Sequence, residues 1–232
     1  MSRLRLMTWN IHGALGRNPR FDLERVVTYV RQHCPDIVAL QEIDSRRPRA
    51  PGMPSPFDQL RDALGTHGTH AYAITSADGG YGQAIISRWP LVSSSVHDLS
   101  YPEREPRRAI SADFATPAGK LRVIATHLGL SFRERNQQAH MLLKLVGCLE
   151  VPTVLMGDLN DWLWAGSVRR VLGRVLTRYT NLRTFPAHFP LLKLDRIYVS
   201  DMVSLVGSYT DGDAGSLSDH LPVIAEIDIP RA

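Results

Sequence analysis

Two apolar runs late in the sequence stop on residues suited to acid–base work: Val154-Leu155-Met156-Gly157-Asp158-Leu159-Asn160, and Ser218-Asp219-His220-Leu221-Pro222 just before a further run. Carboxylates, an amide and an imidazole held at strand ends point to metal-assisted phosphate chemistry rather than to a passive surface. Carboxylates take protons or hold a hard cation, while amide and imidazole donate to phosphate oxygens. Asn10, Glu42, His127 and Asp195 also stand at or near the boundary of an apolar run. Burying an ionised group without a partner is costly, so a shared rim explains these residues better than isolated core positions do. Each alone has an ordinary reading. Asn10 or Asn160 can cap a turn, Glu42 can be a surface carboxylate, and Asp158 can cap the loop that follows it; their combination carries the argument.

The elements that must position them are readable from periodicity. Arg3 to Ile11 alternates as a strand with one buried face, and Asp22 is placed to cap a helix whose stripe is Leu23, Val26, Val27 and Val30, stopped at Cys34-Pro35. Ile37 to Leu40 is a short buried strand ending in Gln41-Glu42. The proline-rich stretch from Arg46 to Phe57 predicts an exposed excursion, with a helix from Phe57 to Leu64. Ala71–Thr75 and Ala84–Ser87 pair around Asp78-Gly79-Gly80, and Arg107–Phe114 with Leu121–Thr126 through Pro117-Ala118-Gly119. Ser131 and Glu134 have the spacing of a capping box, and Ala139, Leu142, Leu143 and Val146 supply that helix's packing face. A strand from Val151 to Met156, a basic helix around Val168 to Val175, and strands over Leu194–Val199, Val203–Tyr209 and Leu221–Ile227 complete the inventory. Many strands with few helices favour a two-sheet sandwich with helices on its outer faces, and exclude the regular crossovers of a TIM barrel.

The chain has 232 residues, 44% of them apolar and 22% charged, which suits one large core and gives no sign of disorder. A single domain over residues 1–232 is expected. Charge and glycine interrupt every long apolar stretch, so no transmembrane segment is expected, and the start Met1-Ser2-Arg3-Leu4 lacks a signal-peptide pattern. Cys34 and Cys148, both placed in helices, suggest neither a disulfide framework nor a metal knuckle, which favours a cytoplasmic location. Twenty-seven basic residues against 23 acidic ones give +4, a mild balance compatible with an anionic partner but insufficient to identify nucleic acid. Arg46, Arg47 and Arg49, then Arg104, Arg107 and Arg108, are the clusters that can meet phosphate. No obligate protein partner is evident.

Six motifs, Thr8-Trp9-Asn10-Ile11-His12-Gly13, Leu40-Gln41-Glu42, Thr126-His127-Leu128, Gly157-Asp158-Leu159-Asn160, Leu194-Asp195-Arg196-Ile197 and Ser218-Asp219-His220-Leu221-Pro222, occur in order along nearly the whole chain. In this the sequence resembles the endonuclease/exonuclease/phosphatase family of DNase I-like metal-dependent phosphoesterases. The resemblance implies an α/β fold, a four-layered sandwich of two mostly antiparallel sheets flanked by helices, with the site at one edge of the sheets. It also implies a Mg²⁺ cofactor, with Mn²⁺ as an alternative. Glu42 is then the leading metal ligand, Asn10 stands beside the metal, and Asp219 contributes directly or through water. Asp158 orients and deprotonates the attacking water, Asn160 donates to a phosphate oxygen, and His220 meets phosphate with Asp195 holding its ring. Other proton-transfer assignments for Asp158 and His220 also exist in this family.

His127, in its Thr-His-Leu setting, resembles a second phosphate-facing histidine and weighs against the abasic-site branch. No obvious carboxylate in Gly80 to Ile86 supports its ring. His12 replaces the extra carboxylate common in that branch, with loop or phosphate contact preferred over metal contact. Arg107 is the first choice for an arginine sent into the site and Arg108 the alternative by register; Gly157 is expected to permit a tight turn. Trp162 and Trp164 offer either a platform beside the site or packing beneath it. The expected reaction is hydrolysis of a phosphodiester, lipid-like or small, with peripheral membrane contact in the lipid case. A DNA endonuclease, a phosphomonoesterase and a non-catalytic lipid- or protein-binding derivative are the alternatives.

Overall fold

The computed structural model describes residues 2–15, 21–48, 50, 52–147, 150–162 and 167–230, so Arg49, Cys148 and Trp164 lie outside the described residues. In chain order the principal elements are β1 (Ser2–Asn10), α1 (Leu23–His33), β2 (Ile37–Asp44), α2 (Pro56–Leu64), β3 (His67–Ser76), β4 (Gly79–Ser87), β5 (Leu91–Asp98), β6 (Arg108–Thr116), β7 (Gly119–His127), α3 (Phe132–Val146), β8 (Thr153–Asp158), α4 (Ser167–Leu172), β9 (Arg178–Tyr179), β10 (Asp195–Val199), β11 (Ser204–Tyr209) and β12 (Val223–Ile229).

Alternation along the strands sorts the apolar side chains into three layers. Leu4 and Leu6 of β1 meet Ile37, Val123, Val154 and Ile197 between two sheets. Met7 and Trp9 face the other way, against Val26, Tyr29 and Val30 of α1 and Phe57 and Leu60 of α2. On the far side, Ile124, Leu155 and Tyr198 pack on Ala139, Leu142 and Val146 of α3 and Val168 and Leu172 of α4. The result is a four-layered sandwich of sheets β11-β12-β1-β2-β4-β3 and β5-β6-β7-β8-β10-β9. Strands covered on both faces read as near-continuous apolar runs, as β8 and β10 do. Each sheet has one parallel pair, β1 with β2 and β7 with β8, joined across α1 and α3 respectively; the other pairs are antiparallel.

Helix ends follow local chemistry. Asp22 accepts a hydrogen bond from the Arg25 amide, and the capping box of Ser131 and Glu134 is formed. Cys34 is not inside a helix: it closes α1 in a left-handed conformation, and its side chain is exposed. β5 is a strand that periodicity does not predict. Its Ser93-Ser94-Ser95 core carries no apolar alternation because β5 is an exposed edge strand, held by backbone pairing to β6 from Leu91 opposite Phe114 to Asp98 opposite Arg108. Among the described residues no helix is long and apolar enough to cross a membrane.

Candidate active site

The alternation that fills the inter-sheet core also delivers the polar residues to its edge. Leu4, Leu6, Thr8 and Asn10 share a parity on β1, as do Leu121, Val123, Ala125 and His127 on β7. Val154, Met156 and Asp158 do so on β8, and Val199, Ile197 and Asp195 on β10. The polar member is each time the last one at the same edge, because parallel β1/β2 and β7/β8 end there while antiparallel β10 begins there. Register then sets Asp158 between His127 and Asp195.

Two departures from regular strand geometry complete the placement. β2 is bulged between Leu40 and Ile43, and Glu42 sits there at φ +59°, a conformation costly for a residue with a Cβ and effective at re-aiming a side chain. Gly157 is not a turn residue. It lies within β8 at φ +149°, where an added Cβ would stand 1.9 Å from the Thr126 carbonyl oxygen, so its lack of a side chain lets β7 and β8 approach beside the site. The Ser218–His220 loop is clamped to the end of β1. Trp9 Nε1 donates to the His220 carbonyl (2.8 Å), Ser218 Oγ donates to the Asn10 carbonyl (2.7 Å), and the His220 amide donates to Ser218 Oγ (3.1 Å).

Asn10, Glu42, His127, Asp158, Asn160, Asp195 and His220 are brought together, with Asp219 and His12 at the rim. Asn10 Nδ2 donates to Glu42 Oε1 (2.7 Å) and Asp158 Oδ2 (3.1 Å), while its Oδ1 accepts from the His12 amide (3.0 Å). Carboxylates only accept, so Asn10 presents nitrogen to them. Asn10, expected beside the ion, here bridges two carboxylates. Asp158 Oδ1 accepts from the Asn160 amide (3.0 Å), and Asn160 Nδ2 uses one hydrogen on the Leu128 carbonyl (2.9 Å).

The two site histidines are set in opposite ways. His220 Nδ1 lies 2.9 Å from Asp195 Oδ2, which also accepts from Thr184 Oγ1 (2.6 Å), and His220 Nε2 lies 3.8 Å from Asp158. Burial opposes the imidazolium, but Asp195 and then Asp158 prevail and push His220 up to about 10. His127 Nδ1 faces Arg107 Nη1 at 3.3 Å, and Arg107 is paired with Glu105 (2.8 Å). A guanidinium has no acceptor, so Nδ1 accepts and the ring proton sits on Nε2, which points toward Asp158 Oδ2 (3.5 Å). Burial pushes His127 down, against Asp158 and with Arg107. The support missing from Gly80 to Ile86 is thus a guanidinium. Arg108 turns instead to Asp98, which decides between the two arginines.

Burial first, and then Asp195, raises Asp158, a direction that strengthens it as a base. Burial would raise Glu42 too, but His12, His127 and Asn10 outweigh it and hold the carboxyl down to about 2. An ionised Glu42 facing the pocket suits a hard cation. Asp158, Asp195 and His220 also offer ligand atoms within 4.8 Å of one another. There, however, the His220 Nδ1 hydrogen bond to Asp195 and the raised proton affinity of the ring favour a charge pair over a metal trio. The side chains open on a pocket of about 380 Å³ whose wall also carries Tyr81, Leu130, Trp162 and Phe185. Arg46 pairs with Asp44 (2.8 Å) and lies 5.1 Å over the Tyr81 ring, which brings this one member of the first arginine cluster to that wall, whereas Arg47 lies over Phe21.

Thr184, Ser218, Trp9 and Glu105 support the site without having been given roles from sequence. Ser218 and Trp9 fall inside motifs that mark their neighbours, whereas Thr184 is eleven positions from Asp195 and gives no local signal of its contact.

Residues 7–220 match the profile described as Endonuclease/Exonuclease/phosphatase family. The chain is 33% identical over 241 residues to the uncharacterized protein YbhP of Escherichia coli K12, covering 96% of this chain and 95% of YbhP. In structure it is similar to an endonuclease/exonuclease/phosphatase from Beutenbergia cavernae, with TM-score 0.82, 21% identity, and coverage of 99% of this chain and 72% of that one. A mannosyl-6-phosphatase of Bacteroides thetaiotaomicron also superposes, with TM-score 0.75, 17% identity, and coverage of 97% and 100%.

Proposed function

Since the chain belongs to the endonuclease/exonuclease/phosphatase family, whose members are phosphoesterases, we propose that it hydrolyses a phosphodiester by direct attack of water, assisted by a divalent ion. The observation that carries this reading is the crowding of donors on one carboxylate oxygen. Asp158 Oδ2 faces Asn10 Nδ2 at 3.1 Å, His127 Nε2 at 3.5 Å and His220 Nε2 at 3.8 Å. A base and several donors around one small volume are what in-line displacement at phosphorus requires.

Glu42 would hold the ion, with Asp219 contributing directly or through water and Asn10 beside it; Mg²⁺ would suit an oxygen-rich set that retains water, and Mn²⁺ is the alternative. The bound ion supplies charge stabilisation at the phosphoryl oxygens. Asp158 takes the proton of the attacking water. The free hydrogen of the Asn160 amide and the Nε2–H of His127 donate to phosphate oxygens, and the His220 imidazolium, oriented by Asp195, stabilises the charge that develops. Arg107 holds the His127 ring and adds positive potential to the same wall.

A lipid-like diester is the favoured substrate, with contact at a membrane surface. Leu130 and Trp162, 70% and 51% exposed, stand on the pocket wall, and Phe189 and Leu191, 65% and 52% exposed, project from the hairpin closed by Phe185 and Leu192. Exposed apolar side chains beside the pocket support such a contact. A nuclease would instead spend its arginines on a strand, yet Arg46 and Arg108 are paired with Asp44 and Asp98.

The test is hydrolysis by purified protein of phospholipids, small diesters, inositol phosphates, single-stranded DNA and abasic duplexes, with Mg²⁺, Mn²⁺ or EDTA. Phospholipid or small-diester cleavage that EDTA abolishes is the expected result. Asp158→Asn and His220→Ala each lower it by about 10²–10⁴-fold without loss of fold. Undiminished turnover by both variants rejects their roles.

A further inference from the structure

Three segments of chain meet at the mouth of the pocket, carrying exposed apolar side chains, cations without carboxylate partners, and no exposed carboxylate. Leu130, Trp162, Phe185 and Leu192 line the mouth together. Leu130, Phe132, Trp162, Phe189 and Leu191 are all exposed around it, the last two on the loop closed by the bridge between Phe185 and Leu192. Residues 181–194 contain Arg183, His188 and Lys193 but no Asp or Glu, and residues 128–133 contain Arg133 and no Asp or Glu either. Glu134, Asp161 and Asp195, which adjoin these segments in the chain, are buried, and Glu105 on the pocket wall is taken up by Arg107. Among the described residues the exposed side chains of Arg133 and Arg183 have no ion-pair partner, and Lys193 Nζ donates to Asn181 Oδ1 (3.1 Å) rather than to a carboxylate. Arg133 stands in the first turn of α3, where the helix dipole disfavours a cation, so the helix gains nothing from its charge.

We propose that this mouth docks on an anionic lipid bilayer, with the apolar side chains entering the headgroup boundary and Arg133, Arg183 and Lys193 meeting lipid phosphates. The inference rests on the lipid-like substrate proposed above, and adds the sign of the surface and the residues that read it. A nucleic-acid strand calls for a continuous strip of cations on its phosphates. Here the cations alternate with exposed Leu, Phe and Trp, the composition of a surface that lies in the membrane interface. Each Lys or Arg near an anionic membrane strengthens binding about fivefold, so three of them give about a hundredfold at low salt. Docked in this way, the pocket opens at the depth where diester headgroups lie.

Sedimentation of the full chain with vesicles of phosphatidylglycerol or of phosphatidylcholine, in EDTA to exclude turnover and metal bridging, measures docking by itself. The unaltered protein is expected to bind phosphatidylglycerol at least about tenfold more tightly, a preference that shrinks as salt rises. Arg133→Gln, Arg183→Gln and Lys193→Gln combined, with native circular dichroism, bring the two affinities within about twofold of each other. Arg3→Gln, Lys120→Gln and Lys144→Gln remove the same charge at the opposite edge, where β1 and β7 begin and α3 ends, and keep the preference. Equal affinity for the two vesicles, or equal loss of preference in both triple variants, overturns the inference. So does a protein that ignores vesicles yet binds single-stranded DNA through the rim cations, which makes the partner a nucleic acid. Cleavage of a soluble diester without vesicle binding rejects the docking alone; vesicle binding with no phosphoester cleaved in Mg²⁺ or Mn²⁺ rejects the catalytic reading instead.

Discussion

Asp195 and Arg107 give two buried imidazoles opposite characters, and much of the site's chemistry follows from that contrast. Against burial, Asp195 and then Asp158 raise the His220 ring from 6.5 to about 10, so the contribution to stability is complete below pH 6.5 and is lost as pH rises through 10. Asp195→Asn removes that contribution. Calorimetric melting at a series of pH values is expected to show a wide gap between the unaltered protein and Asp195→Asn near pH 6 that narrows steadily toward pH 10; a gap independent of pH excludes the linkage. At this scale the sequence was informative wherever a place at the pocket and a local motif coincide, as at Asp158, His220 and Glu42. It was silent where the partner is remote or the geometry decides. The choice of Arg107 over Arg108 depended on strand register, the Thr184 contact on a crossing loop, and the direction in which Asn10 presents its amide on two carboxylates distant in the chain.

Strand parity is the element-scale device that assembles the edge of the sandwich, and β8 is where it is most constrained. The missing Cβ of Gly157 is occupied, in effect, by the Thr126 carbonyl 1.9 Å away from where that atom would be. Gly157→Ala forces β7 from β8, and is expected to cost about 3 kcal/mol or more, with turnover lost alongside because His127 and Asp158 face each other across that pair. Urea unfolding measures the first effect; a midpoint equal to that of the unaltered protein refutes the close approach. Most strands and all the larger helices were legible because apolar periodicity and caps mark them, as at Asp22 and Ser131. β5 was not, since backbone pairing at an exposed edge requires no apolar side chains. The bulge at Glu42 was hidden for a related reason: an extra residue in a strand is a property of two paired strands.

Across the whole molecule, motif order made the family and layered fold readable, while the substrate depends on surface that shared motifs do not encode. The apolar rim supplies the discriminating measurement. Phe189→Asp combined with Leu191→Asp is expected to slow cleavage of phospholipid in vesicles about tenfold or more, the loss of at least one side chain's burial, while a water-soluble diester is cleaved at nearly the original rate. Equal slowing of both substrates removes the case for docking at a lipid surface. One further consequence follows from β12, which lies beside β1 with Ser2 opposite Ile229, and whose approach carries His220 to Asn10. Groups 208 positions apart thus share one seam, so any loosening of β12 from β1 displaces the His220 loop with it.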